Sequence, residues 1–239
     1  MIKNKRMREI IKREKRRRAL QHDTLCNCDF ARDNGENPKA SQFAKNYVEN
    51  FERFGARGAG LFLYGESGAG KTYLAAAIVN ELTDRGYRCL YTSMLYIMNT
   101  LPTVSYETRQ YFVNQFSNVQ LLVLDDFGIE SDTSYSSNVL NGIIGACFQK
   151  KIPIIAITPF PKDSLLKENS ESKRNVAVKR LWKRCLDYTV LMPSARRTEN
   201  CRQKKETEDL LKDGVEPKQG TLPLEEETEK EAKDPCRKK

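Results

Sequence analysis

The feature that most restricts the fold of this chain is an eight-residue segment that fits the pattern GxxxxGK[ST]. Its residues are Gly65, Glu66, Ser67, Gly68, Ala69, Gly70, Lys71 and Thr72. Glycines let the backbone turn tightly, so that successive N–H groups point inward at phosphate oxygens. An apolar run at 61–64 precedes the segment, and a helical pattern begins near Lys71. Because the pattern requires this strand–loop–helix context, we predict a nucleotide phosphate site and not a chance glycine turn.

The residues at the start of the predicted helix are expected to complete an ATP site. Lys71 should reach the β- and γ-phosphates, and the Thr72 hydroxyl should bind Mg²⁺. Tyr73 follows them and is included in the predicted nucleotide-binding set together with the whole loop. The positive N-terminal end of this helix adds a favourable field for phosphate.

A second motif lies further along the chain, where a run of bulky aliphatic residues at 121–124 ends in Asp125 and Asp126. This arrangement looks like a Walker B motif. We predict that Asp125 holds Mg²⁺, through water, and that Asp126 orients or deprotonates the attacking water. The alternative is a solvated strand end, and the phosphate loop upstream makes the functional interpretation the better one.

Strands and helices alternate in the sequence. The predicted strands are 61–64, 89–92, 121–124, 152–158 and 188–192, and the predicted helices are 3–20, 42–54, 71–84, 94–101, 106–117, 135–149 and 173–186. Ser41 and Ser93 are the expected caps of two of these helices. Strands that are apolar throughout are typical of a parallel sheet covered on both faces. We therefore predict an α/β P-loop NTPase domain over 41–200, with a five-stranded parallel sheet.

Charge is unevenly distributed around this domain. The net charge is +9, and residues 1–20, with ten Lys or Arg and two Glu, contribute +8 of it. We predict that residues 1–40 form a basic arm and linker whose partner is nucleic acid or an acidic protein face, the alternative being a solvated terminus. Residues 201–239 are polar and are predicted to be disordered, with one candidate helix near 204–212.

Seven cysteines occur at irregular spacing. The N-terminus is charged and lacks the apolar stretch of a signal peptide, and the chain has no run of about eighteen apolar residues. We expect free thiols in a reducing cytoplasm and no membrane partner. Cys26 and Cys28 form a candidate metal pair, but a second pair at zinc spacing is missing, so we predict no metal site there.

The two motifs and their surroundings resemble the DnaC/IstB family of AAA+ ATPases. The resemblance covers about residues 25–200 and rests on segments 60–78 and 121–130, with weaker support from 46–51 and 196–197. The continuation Asp-Asp-Phe-Gly-Ile-Glu after the second motif narrows it to this family. The resemblance implies an AAA+ fold, ATP hydrolysis, self-association or docking on a ring helicase, and single-stranded DNA contact. Family members load a replicative hexameric helicase or assist a transposase.

The resemblance also assigns two further positions. Arg180 matches the arginine finger, which would reach the ATP of a neighbouring subunit, and the alternative is a surface arginine on a basic helix. Pro159 stands where the family usually has a sensor asparagine, so Thr158 is predicted to polarise water instead. Val176 stands where members often have an arginine. These departures lower the expected hydrolysis rate and leave ATP binding unaffected.

The leading hypothesis is an ATP-dependent loader of a replicative DNA helicase that binds ATP–Mg²⁺ and single-stranded DNA. A transposition helper ATPase is the first alternative, and a nucleotide-switched adaptor with little hydrolysis is the second. A small-molecule kinase is a weaker idea, because such kinases usually carry an arginine-rich lid and segment 160–175 has only Arg174.

Overall fold

The computed structural model describes residues 2–129, 133–160 and 173–190. The chain divides into one unit that runs to Arg197 and a second unit, Thr198–Lys239. The predicted disordered segment 201–239, its candidate helix near 204–212 and the pair 196–197 lie outside the described residues. So do residues 161–172.

The described helices are α1 (Ile2–Leu20), α2 (Pro38–Glu49), α3 (Phe51–Arg57), α4 (Lys71–Asp84), α5 (Met94–Thr100), α6 (Tyr106–Gln115), α7 (Ser134–Gln149) and α8 (Lys173–Trp182). The described strands are β1 (Gly60–Tyr64), β2 (Cys89–Ser93), β3 (Leu121–Asp125), β4 (Ile154–Thr158) and β5 (Cys185–Thr189). Short 3₁₀ helices occupy Thr24–Asn27 and Leu101–Thr103.

The five strands form one parallel sheet in the order β2-β3-β4-β1-β5. Alternate side chains of each strand enter two apolar layers. Leu61, Leu63 and Val123 pack with α2 and α4 on one face, whereas Phe62 and Leu122 pack with α5, α7 and α8 on the other. Because both faces are covered, the strands are apolar throughout. The predicted α/β fold with a five-stranded parallel sheet is confirmed.

The segment before β1 differs from the predicted single helix 42–54. It forms two helices, α2 and α3, which meet at Asn50. The predicted cap at Ser41 is wrong, since Asn37 precedes Pro38 and its side chain accepts a hydrogen bond from the Ala40 N–H. Asparagine before a proline at the first helical position is a favoured helix start.

The end of the described domain also differs from its prediction. The last helix was expected to reach 186 and the last strand to span 188–192, but α8 ends at Trp182 and β5 begins at Cys185. Pairing with β1 decides this position, because Cys185 lies opposite Gly60 and the Gly60 N–H donates to the Arg184 carbonyl. By contrast, the predicted cap Ser93 is confirmed by its bond from the Tyr96 N–H.

The C-terminal half of α1 packs against α4, whereas residues 6–13 are exposed. Arg16 is buried at this contact and donates to both carboxylate oxygens of Asp84, at 3.1 and 2.5 Å, and to the Cys26 carbonyl at 3.0 Å. Ala19 and Leu20 are buried beside it. The predicted basic arm therefore rests on the ATPase core through its last turns.

Within the described ranges, no helix is both long and apolar enough to cross a membrane. The same ranges contain no cluster of three or more His, Cys, Asp or Glu side chains that could hold a metal ion.

Candidate nucleotide-binding site

The loop between β1 and α4 adopts a conformation that depends on glycine. Gly65 has φ +148°, and a Cβ atom there would lie 2.2 Å from the Val190 carbonyl oxygen. Gly68 and Gly70 also have positive φ values, +83° and +92°. Gly70 is the N-terminal cap of α4, so the positive end of this helix lies directly after the loop, at the carboxyl edge of the sheet.

Lys71 lies at the start of α4 with 8% of its surface exposed. Its Nζ donates to the carbonyl oxygens of Gly65 and Glu66, each at 2.8 Å. Burial lowers the pKa of Lys71, and the charges of Asp125 and Asp126 oppose this shift. The ammonium group therefore lies across the loop, next to the two predicted acids, where phosphate oxygens could replace the carbonyls as its acceptors.

Asp125 joins the two motifs at the end of β3. Its Oδ2 accepts a hydrogen bond from Thr72 Oγ1 at 3.0 Å and another from the Tyr91 hydroxyl. Its Oδ1 accepts from the Asp126 N–H at 2.8 Å. Hydroxyl and carboxylate oxygens are the donors that Mg²⁺ prefers. Thr72 and Asp125 therefore fit the predicted metal.

Asp126 occupies the turn that follows β3. Its φ of +54° is left-handed, a conformation in which aspartate is among the less strained side chains. The Phe127 N–H donates to the Ile157 carbonyl at 2.8 Å and anchors this turn to β4. Burial and the neighbouring Asp125 raise the pKa of Asp126, while Lys71 lowers it. Asp126, the predicted base, is exposed at this turn.

A cleft of about 270 Å³ collects most of the predicted catalytic residues. It is lined by Ser67, Gly68, Gly70, Lys71, Thr72, Asp125, Asp126, Ile129, Ile157, Thr158 and Pro159. Thr158 is fully buried at its floor, and its hydroxyl accepts from the Phe160 N–H at 3.2 Å. The water-polarising role of Thr158 stays a prediction. Thr158 lines the same cleft as Lys71 and Asp126.

A second cavity, of about 200 Å³, also borders the loop, at Ala69 and Gly70. It is lined by Arg32, Asp33, Asn34, Glu36, Asn37, Ala40, Ser41, Ala69, Gly70, Tyr73, Leu74 and Val190. Tyr73 belongs here, and its hydroxyl donates to the Asp29 carbonyl at 2.8 Å. Of the residues that line this cavity, the sequence predicted only Ala69, Gly70 and Tyr73 as part of a binding site. Its visible signals, Asn34-Gly35 and Asn37-Pro38, indicate turns and carry no ligand information.

Arg180 lies apart from both cavities. It is exposed on α8, which packs against α7, and it is absent from the described residues that line either cavity. An arginine finger acts on the nucleotide of a neighbouring subunit, so an exposed position agrees with that prediction without testing it.

Comparison with known protein families identifies the family of this chain. The family described as IstB-like ATP binding protein matches residues 3–161. The chain belongs to this family. The resemblance to the DnaC/IstB group is therefore confirmed, together with ATP binding as the family's described property.

Three relatives show the range of this group. The replicative helicase loader DnaC of Escherichia coli K12 is 33% identical over 118 residues, covering 48% of this chain and 47% of the relative. The loader DnaI of Bacillus subtilis is 31% identical over 155 residues, covering 61% and 47%. An insertion sequence ATP-binding protein of Sinorhizobium fredii is 32% identical over 107 residues, covering 44% and 36%. The matched stretch spans less than half of each relative.

Solved structures agree on the fold. A crystal structure of DnaI has a TM-score of 0.61 at 24% identity and covers 73% of this chain and 95% of that one. A crystal structure of the DnaC helicase loader has a TM-score of 0.55 at 19% identity, with 72% and 99% covered. The replication initiator DnaA, bound to AMPPCP and single-stranded DNA, has a TM-score of 0.51 at 26% identity, with 64% and 45% covered.

Proposed function

We propose that this protein is an ATP-dependent loader of a replicative hexameric helicase, which binds ATP–Mg²⁺ and single-stranded DNA during DNA replication. The observation that carries the proposal is the contact between Thr72 and Asp125, which unites the two motifs beside Lys71. The similarity to the loaders DnaC and DnaI supports the choice of partner.

Five residues of the cleft have defined tasks in this proposal. Lys71 and the N-terminal end of α4 bind the phosphates, while Thr72 and Asp125 hold Mg²⁺. Asp126 takes the proton of the attacking water, and Thr158 orients that water. Bound ATP supplies the phosphoanhydride bond whose hydrolysis releases the loader from helicase and DNA. The cavity lined by Tyr73 and Leu74 receives the nucleoside.

The exposed surface of α1 is the proposed DNA contact. Arg6, Arg8, Arg13 and Lys15 are exposed and take part in none of the ion pairs found among the described residues. Cations that meet phosphates release counterions, so binding weakens steeply with salt. The double variant Arg8→Ala/Arg13→Ala should flatten the slope of log K against log salt by about 1.4 on single strands. Arg53→Ala/Arg57→Ala, which removes two exposed arginines of α3, is the matched control.

ATP turnover is the direct test of the function. We expect the purified protein to hydrolyse ATP faster with single-stranded than with duplex DNA, and to bind a ring helicase in the presence of ATP. Turnover stimulated by duplex DNA would instead support a transposition helper, which the relative from an insertion sequence favours. ATP binding without turnover under any condition would support the adaptor, which Pro159 at the sensor position favours.

Arg180 is proposed to complete the site of a neighbouring subunit. Arg180→Ala and Asp126→Asn should each abolish turnover when assayed alone. A mixture of the two variants should recover up to about a quarter of wild-type turnover, because some interfaces combine an intact Asp126 with an intact Arg180. Lys179→Ala, which changes the adjacent exposed cation, should keep wild-type turnover. A mixture as inactive as its components would exclude an arginine that acts between subunits.

The proposed location is a reducing cytoplasm. It is supported by the thiols of the five described cysteines, all of which are free.

A further inference from the structure

Tyr91 contacts the predicted magnesium site although it belongs to neither motif. It lies on β2, where Ser93 is the parallel partner of Asp125 and Tyr91 is the partner of Val123. Residues two apart on a strand face the same side of the sheet, so Tyr91 and Asp125 share a face as diagonal neighbours. A phenol is long enough to span this diagonal, and the Tyr91 hydroxyl donates to Asp125 Oδ2.

Three groups donate hydrogen bonds to the Asp125 carboxylate. The Asp126 N–H occupies Oδ1, whereas Thr72 Oγ1 and the Tyr91 hydroxyl both reach Oδ2. Thr72 is itself a predicted metal ligand, so its hydroxyl must serve the metal and the carboxylate together. Of the two side-chain donors seen on Asp125, Tyr91 is the one that is not itself a predicted metal ligand.

The surroundings of the Tyr91 hydroxyl are almost closed to solvent. The residue is 9% exposed, so its hydrogen bond to Asp125 Oδ2 lies inside the protein. Side chains that orient metal-binding carboxylates commonly change metal affinity 10- to 100-fold when they are removed.

We propose that Tyr91 is a positioning residue of the magnesium site, which holds the Asp125 carboxylate in the orientation that receives Mg²⁺. The inference rests on the proposed ATP–Mg²⁺ function and adds a residue that the two motifs do not contain. Tyr91 acts through Asp125, the group to which its hydroxyl donates.

The test is Tyr91→Phe, which removes only the hydroxyl oxygen. Binding of a fluorescent ATP analogue is measured in EDTA and across a Mg²⁺ titration. We expect unchanged affinity in EDTA and a Mg²⁺ concentration for half-maximal effect that is raised roughly 10-fold. The matched control is Tyr47→Phe, which removes another buried tyrosine hydroxyl, bonded to the Ala59 carbonyl far from the metal site. This control should leave the Mg²⁺ titration unchanged.

A second measurement separates positioning from general structure. In an Asp125→Asn background, Tyr91→Phe should have no further effect on the Mg²⁺ titration, because the group through which it acts is already altered. Equal weakening of binding with and without Mg²⁺, or an unaltered Mg²⁺ titration in Tyr91→Phe, would overturn the proposal. A wild-type protein that binds no ATP would instead refute the proposed function itself.

Discussion

Two cavities that border the phosphate loop, the phosphate-side cleft and the nucleoside-side cavity, are built in different ways. The phosphate-side cleft, around Lys71 and Asp125, takes its polar groups from the carboxyl ends of adjacent parallel strands and from the start of α4. The nucleoside-side cavity, around Tyr73, combines α4 with the segment 32–41 and with Val190 after β5. Backbone N–H groups and a few fixed side chains are enough to recognise a phosphate, so the phosphate-side cleft can be encoded by short sequence motifs. The nucleoside-side cavity instead requires segments that are distant in sequence to pack together.

The largest expected effect comes from a variant in the phosphate-side cleft and is limited to ATP turnover. Asp126→Asn should lower ATP turnover by roughly 100- to 10,000-fold, the range for loss of a general base, while ATP affinity stays close to wild type. Single-turnover hydrolysis and equilibrium binding, measured on the same preparation, separate the two quantities. If turnover persists, the base is another group and the predicted role of Asp126 is wrong.

Lys71→Ala should weaken binding on the phosphate side itself. Loss of hydrogen bonds from a charged donor should weaken ATP and pyrophosphate alike by roughly 10- to 100-fold. The control is Lys150→Ala, whose Nζ donates to the Ser117 carbonyl at 2.9 Å, away from the lining of either cavity. Equal affinity of Lys71→Ala and wild type for pyrophosphate would contradict the assignment of the loop.

Arg16→Ala tests the contacts that hold α1 against α4 and the segment around Cys26, which precedes the nucleoside-side cavity in the chain. Its removal leaves Asp84 without its bidentate partner and the Cys26 carbonyl without its donor, so the free energy of unfolding should fall by about 2 kcal/mol. Chemical denaturation measures the change. Arg18→Ala removes an exposed arginine that pairs with Glu14 and should cost at most about 0.5 kcal/mol. Similar losses in both variants would show that α1 is not anchored through Arg16.

Tyr73→Phe should produce the smallest effect and the sharpest distinction between the cavities. It removes the hydrogen bond to the Asp29 carbonyl, and one such bond is worth about 0.5–1.5 kcal/mol. We expect roughly 2- to 10-fold weaker ADP binding and unchanged pyrophosphate binding, both measured by calorimetry. A parallel loss for pyrophosphate would show that Tyr73 supports the loop and not the nucleoside cavity.

Prediction from sequence worked best where the pattern is local. The helix 71–84 has the predicted bounds, and Ser93 caps α5 as expected. Errors arose where local signals compete, as at Ser41, which resembles a cap although Asn37 with Pro38 starts the helix earlier. Ser41 instead donates its hydroxyl hydrogen to Asp33. The position of β5 was missed because its pairing with β1 decides it.

The sequence by itself determined the parallel α/β fold, the phosphate loop and the acids that follow β3. These follow from glycine conformation, from apolar periodicity and from residues close together in the chain. Only the tertiary structure decided that Arg16 anchors α1, that segment 32–41 completes a second cavity and that Tyr91 supports Asp125. Each of these contacts joins residues distant in sequence, and strand register and helix packing, which no short motif encodes, bring them together.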